Sequence, residues 1–281
     1  MRLLRSALTG LAITLSTSAV TAQEFRAVPP NFLEFGRPAG NELRFCLNMA
    51  SAIVAFDRDF AQAIADTVLL PAEFFEVVDF DPAQPYDYRF TVGEPELFIA
   101  VNNECDALMG FRLPTTGTIP EWLAVSRPYL ETDMVLAVTD PGYASLSDLP
   151  TGSLVGSRLG TPGDSRLRSY LRGLAGAPWT RVPYSGNHHL IDRLLDGTVS
   201  GILIWEPALY LFAGGQPETA GLHTAALPFE SEPTVFSVAV QTDDQFLLEL
   251  IDLAISSLIA DGVLADLLSE HDLPTSAAAA P

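Results

Sequence analysis

Short apolar runs alternate along this chain with longer segments whose apolar residues recur at helical spacing. That alternation limits the fold more than any other feature of the sequence. Phe56–Leu70 has apolar residues at 56, 60, 61, 64, 65 and 68, which is one face of a helix, and Asp57 is placed to cap its start. On either side, Glu42–Leu47 and Phe74–Val78 read as strands. The same style continues. Pro95–Asn102 reads as helix, and Cys105–Gly110 and Met134–Val138 as strands. Leu154–Gly156, Arg181–Tyr184, Gly201–Trp205 and Val235–Val240 are further strands. Ser165–Leu174, His188–Leu195, Pro207–Phe212 and one or two segments within Asp243–Ser269 are helical. Strands this apolar are buried on both faces, so helices must cover a largely parallel sheet. The expected class is α/β, built from βαβ units.

The chain has 281 residues and 48% hydrophobic side chains. That is enough to bury a core, and the length fits one large domain or two lobes. Its 35 acidic residues face only 15 basic ones, all arginine, for a net charge of −20. An excess of acid on this scale excludes a nucleic-acid partner and docking on anionic lipid. The absence of lysine removes Schiff-base and Walker-type lysine chemistry.

Arg2 and Arg5 precede an apolar run from Ala7 to Val20, and Val20-Thr21-Ala22 closes it with small residues. This has the form of a secretory signal over residues 1–22, too short for a membrane span. Residues 23–41 read as an irregular leader rich in Pro and Gly. No Cys follows the cleavage position, and no later run is long enough to span a membrane. The expectation is a periplasmic protein with no membrane span after cleavage. In an oxidising compartment the two cysteines, Cys46 and Cys105, read as one disulfide. The alternative is two buried free thiols.

Several segments, in order, resemble the type II periplasmic solute-binding proteins that serve ABC importers. Phe56-Asp57-Arg58-Asp59-Phe60-Ala61-Gln62-Ala63-Ile64-Ala65 is similar to that family's first helix. Glu104-Cys105-Asp106-Ala107, Ser126-Arg127-Pro128-Tyr129, Ser145–Leu149 followed by Leu159-Gly160-Thr161, and Ala260-Asp261-Gly262 resemble later elements. The resemblance implies a two-lobed periplasmic binding protein. Each lobe is then a mostly parallel sheet flanked by helices, with two crossovers at the hinge. It places residues 42–138 plus 228–273 in lobe 1 and 139–227 in lobe 2, with 274–281 a flexible tail. Both charged anchors of the amino-acid-binding members are missing: Ile119 stands at the arginine position and Trp205 at the late aspartate. Arg112 and Arg127 are the nearest arginines and stand out of place. The loop from Asn48 to Ile53 also departs from the family's polar form, which makes a ligand cleft less expected.

Leu43-Arg44-Phe45-Cys46, Cys105–Gly110, Arg127-Pro128-Tyr129, Trp205-Glu206-Pro207 and Leu227-Pro228-Phe229 resemble a narrower group. These are the exported MoxJ, MxaJ and XoxJ proteins of methanol-oxidation gene clusters. That resemblance implies a non-enzymatic accessory factor that assists assembly or activation of a periplasmic quinoprotein methanol dehydrogenase or its PQQ cofactor. The importer receptor for a small polar solute is the alternative.

The candidate cleft residues are Arg112, Ser126, Arg127, Tyr129, Thr161, Asp164, Trp205 and Glu206. Thr161 and Asp164 stand where a loop meets a helix start. There they serve either a ligand or an ordinary N-cap. Trp205 and Glu206 end a strand, where clefts of α/β sheets form. Arg112 and Arg127 serve an anion or an ion pair. Glu206 is the single residue worth testing as an acid–base group. No nucleophile elbow, P-loop or dinucleotide motif occurs, so neither an enzyme nor a bound cofactor is expected. His188 and His189 do not share a helix face. The loop of Asp79, Asp81 and Asp87 lacks the EF-hand glycine, so no metal is expected.

The signal reading predicts that N-terminal sequencing of exported chain begins at Gln23; an intact Met1 in the exported fraction would refute it.

Overall fold

A computed structural model of the chain describes residues 41–49, 51–77, 94–114, 118–176 and 178–274. The expected signal over 1–22, most of the leader, the Asp79–Tyr88 loop and most of the tail lie outside the described residues. The described chain forms two sheets. The first contains β1 (Leu43–Asn48), β2 (Ala72–Val77), β3 (Ala107–Arg112), β4 (Leu123–Val125), β5 (Leu130–Thr132) and β11 (Thr234–Gln241). Its order is β2-β1-β3-β11-β4, with β5 also on β11. β1 runs parallel to β2 and β3, and β11 runs antiparallel to its neighbours.

Alternation along these strands supplies both faces of the sheet. Phe45 and Met109 point to α1 (Val54–Thr67) and α6 (Gln245–Ala260), where Phe56, Phe60, Ile64, Ile251 and Ile255 are buried. Cys46 and Leu108 point the other way, to Val101 of α2 (Glu94–Asn103). The pleat makes this alternation obligatory.

The second sheet contains β6 (Met134–Val138), β7 (Leu154–Arg158), β8 (Thr180–Tyr184), β9 (Gly201–Trp205) and β10 (His223–Ala225), in the order β10-β6-β9-β7-β8. α3 (Pro162–Gly173), α4 (Asn187–Leu195) and α5 (Glu206–Ala213) cover it, and α7 (Val263–Glu270) returns to the first core. The run Met134–Val138, expected in lobe 1, belongs to this second sheet. It pairs antiparallel with β9, Met134 opposite Trp205. Only Asp133 separates it from β5, so the chain changes sheets within one residue. The return passage lies between Ala225 and Thr234.

Cys46 and Cys105 form a disulfide, with Cα atoms 5.5 Å apart. It joins β1 to the segment entering β3, and both residues are fully buried. Arg44 and Asp106 reinforce the same junction with an ion pair at 3.1 Å.

Asp57 does not cap a helix as expected. α1 starts at Val54, and Asp57 turns into the core at 1% exposure. The Tyr129 hydroxyl donates to Asp57 Oδ1 at 2.7 Å and accepts from the Gly110 N–H at 3.0 Å. Asp57 Oδ2 has no hydrogen-bond partner among the described residues. Gly110 has φ +69°, and a Cβ there would lie 2.8 Å from Asp57 Oδ2. Only glycine fits that position. Burial pushes the Asp57 carboxyl from 3.8 up to about 7, against the opposing effect of the Tyr129 hydrogen bond. A charged carboxylate with an unpartnered oxygen in an apolar core is costly, so the neutral acid is favoured.

Two measurements follow from these contacts. Replacing Cys46 and Cys105 by Ala should lower the unfolding free energy by about 2–4 kcal/mol in denaturant titration, since a crosslink closing a loop of this size restricts the unfolded chain; an unchanged midpoint would contradict it. Between about pH 4 and pH 7 the folded chain holds a proton on Asp57 that the unfolded chain has released. Stability should therefore fall as pH rises through that window and level off above it, and Asp57→Asn should remove this component of the slope.

Candidate functional site

A cavity of about 520 Å³ opens between the two sheets. Its walls are the C-terminal ends of strands: Asn48 of β1, Arg112 of β3, Arg158 of β7 and Trp205 of β9 all line it. This is where α/β sheets expose backbone and side chains to ligand. The volume is that of a small-molecule site.

Trp205 joins the two halves. Its indole N–H donates to Thr132 Oγ1 at 2.7 Å. Its ring lies 6.0 Å from that of Phe236 on β11, and it packs against the cores of both sheets. It is thus both a cleft wall and a hinge contact.

The loop Gly160–Gly163 forms the second-sheet side of the cavity. Thr161 is the N-cap of α3, its hydroxyl accepting from the Asp164 N–H at 3.2 Å, and Pro162 occupies the first turn. The positive end of α3 therefore opens on the cavity. Asp164 faces away from it and is buried. Arg181 grips it with Nε and Nη2 at 2.5 and 2.8 Å, and the Ser157 hydroxyl donates at 2.6 Å. Burial alone would raise the Asp164 carboxyl, but the hydrogen bonds from Arg181 and Ser157 hold it below its ordinary value. Asp164 anchors the loop from behind.

Arg112 projects into the cavity from the end of β3 and makes no hydrogen bond or ion pair among the described residues. Partial burial lowers its guanidinium pKa. Across the cavity, Arg166 of α3 meets Glu232 at 3.3 Å and donates to the Glu230 carbonyl at 2.7 Å.

Of the residues named from sequence, Arg112, Thr161 and Trp205 meet at the cavity; the others serve the frame. Ser126 accepts from the Val238 N–H at 2.9 Å. Arg127 donates through its backbone to Asp252 at 2.6 Å and through its side chain to Ser256. Tyr129 is fully buried. Glu206 is half-buried at the start of α5, and burial and the neighbouring Asp133 raise its carboxyl. It does not line the cavity, so the acid–base reading has no cleft position for its one candidate. Asn48, Ser51 and Ala52 do line the cavity, contrary to the expectation that the Asn48–Ile53 segment disfavours a cleft. Arg158, Arg166, Glu232 and Phe236 were not foreseen. For Arg158 the available signal was its place at a strand end.

Among the described residues no group of three His, Cys, Asp or Glu side chains is placed to hold a metal. No described helix is long and apolar enough to cross a membrane.

No protein-family model and no curated protein matches the sequence. Solved structures do match. The open form of substrate-binding domain 2 of Lactococcus lactis GlnP aligns with a TM-score of 0.64 at 17% identity, covering 84% of this chain and 97% of that one. The second substrate-binding domain of a putative amino acid ABC transporter from Streptococcus pneumoniae aligns at 0.62 and 18%, covering 82% and 99%. An ancestral cationic amino acid solute-binding protein aligns at 0.60 and 18%, covering 82% and 95%. These neighbours are described as substrate- or solute-binding proteins, two of them for amino acids, and the expected role beside a methanol dehydrogenase is corrected. The fold is the two-lobed α/β architecture of the type II periplasmic binding proteins.

Proposed function

We propose that this chain is the extracytoplasmic solute-binding receptor of an ABC importer, and that it takes a small polar solute between its lobes. The observation that carries the reading is the interlobe cavity of about 520 Å³, which Arg112 and Trp205 both line, with the Arg112 guanidinium making no hydrogen bond or ion pair among the described residues. A guanidinium is a directional, charge-assisted hydrogen-bond donor for a solute oxygen. The aromatic wall adds apolar contact. Lobe boundaries at Asp133 and within 226–233 fit a hinge of two chain crossings, with Trp205 bonded across it.

The experiment is a thermal-unfolding screen of small metabolites, with amino acids as one set because two of the structural neighbours carry that description. A ligand at 100 times its Kd should stabilise the protein by about 2.7 kcal/mol. Trp205→Ala should weaken that ligand by about tenfold or more. Trp205→Phe keeps a ring but loses the Thr132 hydrogen bond, and should cost about fivefold or less. A broad screen without any stabilising compound would reject the receptor reading.

A further inference from the structure

Arginine is scarce in this chain and unevenly spread. Of the 15 present, Arg158, Arg166, Arg168, Arg172 and Arg181 fall within one short stretch that holds a single acid, Asp164. Arg181 is bonded to Asp164, Arg166 meets Glu232 and the Glu230 carbonyl, and Arg158 lines the interlobe cavity. Arg168 and Arg172 remain. Both are exposed, and neither makes a hydrogen bond or ion pair among the described residues. At about 100° of rotation per residue, they lie on the side of α3 opposite Arg166, away from the cleft.

There they border an open groove of about 360 Å³ between α3 and the start of β8. Its apolar part is Leu171 and Trp179. The Trp179 indole N–H is spent inward, donating to the Leu149 carbonyl at 3.2 Å, so what the ring offers the groove is carbon. Arg181 also lines the groove, but Asp164 balances its charge. No carboxylate is among the described lining residues, and none of them is shared with the interlobe cavity. Like charges one turn apart destabilise a helix. Yet of the chain's 35 acidic side chains, none among the described residues is set against either guanidinium.

From this arrangement we infer that the groove docks an acidic segment of a partner protein: two carboxylates meet Arg168 and Arg172, and an apolar side chain beside them rests on Trp179 and Leu171. Arginine pairs with carboxylate through directional, charge-assisted hydrogen bonds. The spacing suits an extended segment. Carboxylates two residues apart on a strand lie about 6.7 Å from each other on one face, near the helical pitch of about 5.4 Å that separates the two arginines. An anionic membrane also carries negative charge, but as a broad sheet it meets the field of the whole molecule, whose net charge is −20. A segment confined to the groove meets mainly the local arginines, because charges beyond about 8 Å are largely screened at physiological salt. The inference stands apart from what the cleft holds.

Fluorescence anisotropy of the disulfide-intact protein provides the test, with a labelled dodecapeptide of repeated Glu-Phe-Glu as the probe. The peptide should bind saturably, and raising salt from about 0.05 M to about 0.5 M should weaken it about tenfold. Arg168→Gln combined with Arg172→Gln should weaken it about tenfold or more, with no fall in melting temperature. A Glu-Gly-Glu repeat, which lacks the rings, should bind about fivefold more weakly. Arg193→Gln, on the same lobe but outside the groove, should leave affinity within about twofold. Absence of binding, or full affinity in the double variant, would overturn the docking surface. Equal affinity for the Glu-Gly-Glu repeat would overturn the apolar seat. Phosphatidylglycerol vesicles should fail to sediment the protein. If they sediment it and not the double variant, the groove serves a membrane surface and the protein partner is refuted.

Discussion

The Tyr129 hydroxyl is the contact on which the cleft floor depends. It receives one hydrogen bond from the end of β3 and gives one to α1, so a helix, a strand and the segment entering the hinge meet at one oxygen. Gly110 makes the meeting possible, because any side chain there would occupy the space of the Asp57 carboxyl. Two residues later the chain presents Arg112 to the cavity. The strand that carries that residue is therefore held from inside the core rather than by a surface loop. A buried polar group with good partners specifies geometry more sharply than apolar packing does.

Much of the architecture was legible because burial on both faces forces near-continuous apolar strands. Gly201–Trp205 is found as read. The Cys46–Cys105 bond followed from compartment and number alone. Other readings failed for identifiable reasons. Met134–Val138 is plainly a strand, but nothing local says which sheet it joins; that is decided by the passage at Asp133 and by pairing with Trp205. Asp57 has the residue type and position of a cap, yet the helix begins earlier and turns it inward. The cleft was the least legible part. Its residues end strands far apart in sequence, so no short motif contains them. Arg112 looked misplaced by motif spacing and is well placed by geometry.

The methanol-oxidation resemblance illustrates how a motif can carry fold without function. Its Cys46 and Cys105 are a structural crosslink. Its Pro207 sits in the first turn of α5, where the missing N–H costs nothing. Arg127 and Tyr129 hold α6 and α1 in place. Each residue has a duty inside the frame, so its recurrence speaks to how the chain is built. Only positions whose side chains reach the cavity speak to what the chain holds.

The place of β11 sets the order in which the molecule can be made. It lies between β3 and β4 and is paired with both, yet it comes from the last part of the chain, as do α6 and α7. The second sheet draws all its strands from one continuous stretch, 134–225. A chain emerging N-terminus first thus completes its second lobe while the first still lacks an inner strand. During that interval β1, β2 and β3 wait with one edge open, β1 tied to the entry of β3 by the covalent bond between Cys46 and Cys105. In a chain whose last strand seals its first lobe, loss of everything from β11 onward would expose an unpaired inner edge and leave the other lobe whole.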